Sequence, residues 1–165
     1  MKSLAVAFTG PSDSGKTTLI LKVANILKSE YTLAIIKNDP SDKAIFDVEG
    51  KDSWKFAQTG AEVVVTSPTR TTLFSKHHKS LDEIIAMLGE FDFLLVEGLK
   101  TLPLPRIAIF RNKLNVDYFD CSDAIAIDES VTLSDYTIPS HIAILDLNNP
   151  EQVVAWIQKN AKKVK

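Results

Sequence analysis

The chain has a single cysteine, Cys121, among its 165 residues. That excludes an internal disulfide framework and a cysteine-rich zinc site, and it suits a reducing cytoplasm. An excess of charge is also missing. The net charge is -2, so a broad attraction to nucleic acid is not expected. The basic tail "KNAKKVK" is a local exception, read as a solvated helix end where lysine complements the macrodipole. No stretch reaches the roughly 18 apolar residues of a membrane span, and the first apolar run is too short for a signal core. No membrane or nucleic-acid partner is expected. Internal repeats, low-complexity tracts and linkers are lacking too, so residues 1–165 read as one domain. That length buries a core without disulfides or metals.

What is present begins with "GPSDSGKTT" at residues 10–18. Gly10, four residues, Gly15, Lys16 and Thr17 make the P-loop pattern G-x-x-x-x-G-K-[ST]. An apolar strand-like run, "KSLAVAFT", precedes it, and a helix-like run, "KTTLILKVANILKSE", follows. Such a loop aims successive backbone N–H groups at phosphate from a helix N-terminus. Glycine lets the backbone approach the ligand without a Cβ clash. Lys16 adds a point charge, and the Thr17 hydroxyl is a candidate Mg²⁺ ligand. Residues 10–18 (Gly10, Pro11, Ser12, Asp13, Ser14, Gly15, Lys16, Thr17 and Thr18) are therefore the candidate nucleotide cradle.

Further strands are expected at "TLAIIK", "FDFLLVEG", "RIAIFR", "DAIAID" and "HIAILDL". Helices are expected over "DSWKFAQTGA", capped by Asp52 or Ser53, over "LDEIIAMLG", and over "NNPEQVVAWIQKNAKK", capped by Asn149 with Pro150 in the first turn. Strands alternating with helices predict an α/β fold with a doubly wound, mostly parallel sheet. Residues 62–67 and 69–75 lack a crossover between them and predict an antiparallel β addition. The polar, turn-rich stretch at 39–50 reads as a long loop.

A metal-bound triphosphate calls for a carboxylate. Asp92 and Glu97 share a strand and are roughly 16 Å apart, so only one can face the phosphates. In a parallel sheet ligands gather at the carboxyl ends of strands, which selects Glu97 and leaves Asp92 as a solvated strand start. Gly98 lets the chain turn close to the ligand. Asp39 has two readings: a metal- or water-positioning group, or an Asx-turn before Pro40. Lys37 is either a strand-edge lysine or a phosphate contact. "NKLN" at 112–115 resembles the guanine-reading N-K-x-D of GTPases but lacks its aspartate, so a turn is the simpler reading. Adjacent His77 and His78 read as surface loop, and Cys121 as a small core residue.

Taken together, "FTGPSDSGKTTLI", "IIKND", "EGKDSWKFAQTGA", "LLVEGLK", "PRIAIFR" and "IAILDLNN" resemble the molybdopterin-guanine dinucleotide biosynthesis protein B family over nearly the whole chain. The resemblance implies a P-loop NTPase fold, a homodimer, GTP and Mg²⁺ as ligands, weak GTP hydrolysis, and association with the guanylyltransferase that attaches GMP to molybdopterin. It implies phosphate roles for Gly10, Gly15, Lys16 and Thr17 and magnesium roles for Thr17 and Glu97. In the G-K-D-S segment, Lys51 is either a second charge toward nucleotide or molybdopterin phosphate, or a lysine ahead of a helix. Asn38 stands where the family often has histidine, and Glu49 where proline is common.

Two other classes compete. A small-molecule kinase or ligase of related fold needs an acceptor pocket, for which little chain is left. A metallochaperone GTPase needs Cys/His ligands, and Cys121 has no such neighbour in sequence. No arginine finger is evident in the phosphate loops, which fits slow hydrolysis.

Overall fold

The computed structural model describes residues 2–165, in two compact units: 2–38 with 88–165, and 39–87. In the larger unit the strands are β1 (Leu4–Thr9), β2 (Leu33–Lys37), β5 (Phe93–Glu97), β6 (Arg106–Phe110), β7 (Ala124–Ile127), β8 (Ala143–Asp146) and β9 (Lys162–Lys163), with helices α1 (Lys16–Leu27) and α4 (Pro150–Asn160). The smaller unit carries α2 (Asp52–Ala57), β3 (Val63–Ser67), β4 (Arg70–Phe74) and α3 (Leu81–Met87).

The main sheet runs β2-β5-β1-β6-β7-β8, all parallel. β1, β5, β6 and β7 are apolar and almost wholly buried, as strands covered on both faces must be. One face packs Phe8, Leu95 and Ile109 against Leu19, Val23 and Leu27 of α1 and Val153 and Ile157 of α4. The other packs Ala108, Phe110 and Ile125 against Leu114, Phe119 and Val131 from the loops beyond β6 and β7. Asn149 caps α4 by accepting from the Gln152 N–H, as its position before Pro150 predicts. No described helix is long and apolar enough to cross a membrane.

β1 lies between β5 and β6, and the chain changes side at this point, with β2 and β5 on one side of β1 and β6, β7 and β8 on the other. The crevice of such a sheet opens beyond the carboxyl end of β1, and there the chain enters residues 10–15.

Three local readings are corrected. The basic tail is not all helix. Ala161 leaves helical geometry at φ -57°, ψ 140°. Lys162–Lys163 then pairs antiparallel with Leu4–Ala5, beside the stretch of β1 that β6, joined only at residues 7–9, does not cover. α2 begins at Asp52 with Lys51 in the cap position and no side-chain cap, because the Ser53 hydroxyl donates instead to Asp47. Asp92 is not merely solvated. It accepts from the Thr32 N–H and hydroxyl and the Lys2 N–H, clamping the starts of β1, β2 and β5. These bonds, the Thr32 N–H foremost, hold its carboxyl below the usual aspartate range.

In the smaller unit β3 and β4 form a two-stranded antiparallel sheet, with Ser67 opposite Arg70 across a Pro68-Thr69 turn. This is the antiparallel addition expected, as a separate sheet.

Candidate phosphate-binding site

β1 ends at Thr9, and the backbone turns at once through Gly10, φ +146°. A Cβ there would lie 2.4 Å from the Ile109 carbonyl oxygen and 3.0 Å from Ser14 Oγ, so the loop runs flush against β6. Asp13 and Gly15 also have positive φ. These reversals curl the backbone into a concave nest that ends at Gly15, the cap residue of α1. Ser14 is buried, and its hydroxyl has no hydrogen-bond partner among the described residues. Thr17 and Thr18 are exposed on the first turn.

Lys16 folds back over the loop. Its Nζ donates to the Gly10 carbonyl at 3.0 Å and to the Pro11 carbonyl. Burial pushes the ammonium below the ordinary lysine value. Glu97 opposes that shift, Lys37 adds to it, and Asp13 opposes it. The charge is thus held in the loop on neutral carbonyls rather than consumed in a tight ion pair.

Glu97 closes β5, in register with Phe8 on one side and Lys37 on the other. Its side chain is 14% exposed, with Lys37 Nζ 3.4 Å away. The next residue, Gly98, donates its N–H to the Phe8 carbonyl. Asp92, just ahead of the same strand, lies at the amino ends of the parallel strands, away from the loop at their carboxyl ends, as strand direction requires. Lys37 is both a strand-edge lysine and an ion-pair partner.

Asp39 and Lys51 belong to the smaller unit. The Asp39 carboxylate accepts from the N–H groups of Ser41, Lys43 and Ala44, organising the turn after Pro40. Lys51 is exposed ahead of α2. The "NKLN" run forms a turn in which the Asn115 side chain caps a 3-10 helix, Val116–Cys121, by accepting from the Asp117 N–H. His77 and His78 are exposed. Cys121 is half-buried, with its Sγ donating to the Tyr118 carbonyl. Among the described residues no group of three or more His, Cys, Asp or Glu side chains could hold a metal ion.

Two arginines of β6 and its end belong to this region, and sequence reading missed both. Arg106 is 1% exposed; its guanidinium donates to the carbonyls of Gly98, Leu99 and Leu102, fixing the turn after Glu97. Arg111 lies beside Gly15. An isolated arginine at each end of an otherwise apolar run was the available signal.

Comparison with known proteins bears on the family and the fold. The family described as Molybdopterin guanine dinucleotide synthesis protein B matches residues 5–128. A "Molybdopterin-guanine dinucleotide biosynthesis adapter protein" of Escherichia coli (strain K12) is 30% identical, over 93% of each chain. A "Putative molybdopterin-guanine dinucleotide biosynthesis adapter protein" of Methanocaldococcus jannaschii is 30% identical over 75% of this chain, which spans about half (54%) of that relative's length. The solved structure described as "The Crystal structure of Bacillus subtilis MobB" superposes with a TM-score of 0.76 over 98% of this chain and 99% of that one, at 22% identity. The chain has the mostly parallel P-loop NTPase fold, and it belongs to the molybdopterin guanine dinucleotide synthesis protein B family.

Proposed function

We propose that this chain is a GTP-binding adapter in the formation of molybdopterin guanine dinucleotide. In this reading it holds nucleotide for a partner guanylyltransferase and hydrolyses it slowly. The observation that carries the reading is the loop at residues 10–17: a glycine-bounded nest at a helix N-terminus, a lysine folded across it, and a carboxylate, Glu97, at the end of the neighbouring strand and in register with Phe8. Family membership supports the pathway, since the relatives named above are molybdopterin-guanine dinucleotide biosynthesis adapters.

The residues present fit a magnesium ion bound together with nucleotide. Mg²⁺ is usually held by one or two protein oxygens with phosphates and water completing the shell. The Thr17 hydroxyl and the Glu97 carboxylate are the oxygens this chain would offer. Bound there, the ion would neutralise charge on the phosphate oxygens. Lys16 would bind phosphate directly, and Lys37, 3.4 Å from the Glu97 carboxylate, would help to orient it.

Titration with a fluorescent GTP analogue, with GTP and ATP as competitors, tests the reading. GTP is expected to compete better than ATP, and the wild-type chain is expected to capture the guanylyltransferase in a pulldown. Under the same titration Glu97→Gln should lose most of the Mg²⁺ dependence. Asp92→Asn should keep it and instead lower the melting temperature, because it loosens the clamp on three strand starts. Equal Mg²⁺ dependence in the two variants would show that Glu97 is not the metal ligand. Equal competition by ATP would reject GTP as the preferred ligand.

The same reading includes a homodimer. β3 and β4 pair only with each other among the described residues, so each has an unpaired outer edge, and such edges are normally covered or paired. Val64 and Val65 on β3 and Ile45, Phe46 and Val48 ahead of α2 are exposed. A second copy offering the same surface would satisfy both, since two-fold contacts are self-complementary. Light scattering coupled to size exclusion should give twice the 18.2 kDa chain mass, and Val64→Lys should shift it downward or cause aggregation. A wild-type monomer at tens of micromolar would rule out the dimer.

A further inference from the structure

Arg111 follows the last residue of β6. Thr9 is in register with Ala108, so Arg111 lies three residues, roughly 10 Å, past the level at which β1 ends. That height is the height of the phosphate loop. The fold uses it: a Cβ on Gly15 would stand 3.5 Å from Arg111 Nε and 3.6 Å from its Cζ and Nη2. The guanidinium therefore lies over the cap residue of α1, where the loop's N–H groups converge.

Its orientation is held from the other side. Phe110 pairs with Ile127, so the next residues, Arg111 and Asp128, emerge side by side from neighbouring strands. Arg111 Nε is 3.3 Å from Asp128 Oδ2. Asp128 is 12% exposed and is itself fixed, accepting from the Ser130 N–H and hydroxyl at Oδ1, while the Ser130 hydroxyl accepts from the Asn112 N–H at 2.7 Å. The carboxylate meets the edge nitrogen of the guanidinium. Both Nη groups are left to donate elsewhere, and among the described residues Asp128 is the ion-pair partner of Arg111.

An ion pair whose arginine is 45% exposed contributes little to stability. Its value is directional: a planar, permanently charged fork, pre-aimed, suits phosphate oxygens better than a mobile lysine does. We propose that Arg111 is a second phosphate-contacting cation of the nucleotide site, supplied in cis from β6 and aimed by Asp128 as a positioning residue. The inference rests on the nucleotide reading of the loop. It adds a cation that is far from the loop in sequence and approaches on the β6 side, whereas Lys37 and Glu97 flank it on the β5 side.

The test is titration of the full chain with the fluorescent GTP analogue and Mg²⁺ at several salt concentrations. Arg111→Ala should remain folded by circular dichroism and thermal melting and bind about tenfold more weakly or worse. The slope of log Kd against log salt should fall, which loss of a packing contact alone would not produce. Arg111→Lys should recover part of the affinity, and Asp128→Asn should bind more weakly with the salt slope largely kept. Wild-type affinity and salt slope in folded Arg111→Ala, alongside a loss in Lys16→Ala, would overturn this inference and leave the nucleotide reading standing. Failure of the wild-type chain to bind the analogue would overturn both. If Arg111→Ala does not fold, chemical-modification protection settles the matter: nucleotide should shield Arg111 from a guanidinium-specific reagent, and equal labelling with and without nucleotide would reject the contact.

Discussion

Replacing Gly10 with alanine is expected to lower the melting temperature by about 10 °C and to remove nucleotide binding. The new Cβ would enter at 2.4 Å from the Ile109 carbonyl oxygen, an atom fixed in a central, fully buried strand. Neither side can yield cheaply. The carbonyl belongs to the sheet ladder, and the residue at position 10 is held at φ +146°, where an L side chain is strained. Overpacking costs about 1–3 kcal/mol, and a backbone forced into a sparsely populated region costs of the same order. A total of about 3–4 kcal/mol corresponds to roughly 10 °C in a chain of this size and is a large share of the ~5–15 kcal/mol that holds most domains together. Relief by shifting the loop away from β6 would move the phosphate nest out of register with α1. Differential scanning calorimetry and nucleotide titration read the two effects separately. An unchanged melting temperature would mean that the loop does not press on β6 as described.

The second large effect is confined to the ligand. Lys16→Ala should bind triphosphate roughly tenfold to 150-fold more weakly, the equivalent of losing a charge-assisted contact of about 1.5–3 kcal/mol. The fold should survive it. Among the described residues the Lys16 ammonium donates to carbonyls of its own loop, and alanine is a better helix former at the first position of α1. Removing the ammonium also takes away one of the two lysine charges near Glu97, leaving Lys37, so residual binding should depend more steeply on Mg²⁺. Isothermal titration calorimetry on the folded variant decides the outcome. Wild-type affinity would eliminate Lys16 as a phosphate ligand.

The sequence is most legible where local chemistry fixes the geometry. Two glycines, a lysine and a threonine at set spacing, between an apolar run and a helical run, leave few conformations open to residues 10–17. The direction of "FDFLLVEG" separates Glu97 from Asp92 for the same reason: a parallel strand has its functional end at the carboxyl terminus. The β3–β4 hairpin is legible because no chain is left over for a crossover. What escapes the sequence depends on register between distant strands. Arg111 and Asp128 are 17 positions apart and meet only because Phe110 is opposite Ile127. Asp92 reads as a solvated carboxylate until Thr32 and Lys2 arrive from just ahead of two other strands. Lys162 and Lys163 look like the end of a helix because the gap they fill beside β1 belongs to tertiary structure. Lys51 precedes a helix whose nearby hydroxyl, Ser53, is drawn to Asp47 instead.

The guanidinium of Arg106 does for the chain between β5 and β6 what a bound cation does for an ion-binding loop. It gathers the carbonyls of Gly98, Leu99 and Leu102 around one positive centre. Parallel strands are usually joined by a dozen or more residues, most often with a helix, yet here residues 98–105 make the passage without one. The charge is carried on β6 itself, so the passage can take its shape only once that strand has docked beside β1. Loading is therefore stoichiometric and permanent, and no chelator can strip it. The same short strand then holds the turn after Glu97 at its beginning and presents Arg111 at its end. The two flanks of the phosphate loop are spaced by a single rigid ruler five residues long, and a shift of β6 along its axis would displace both together.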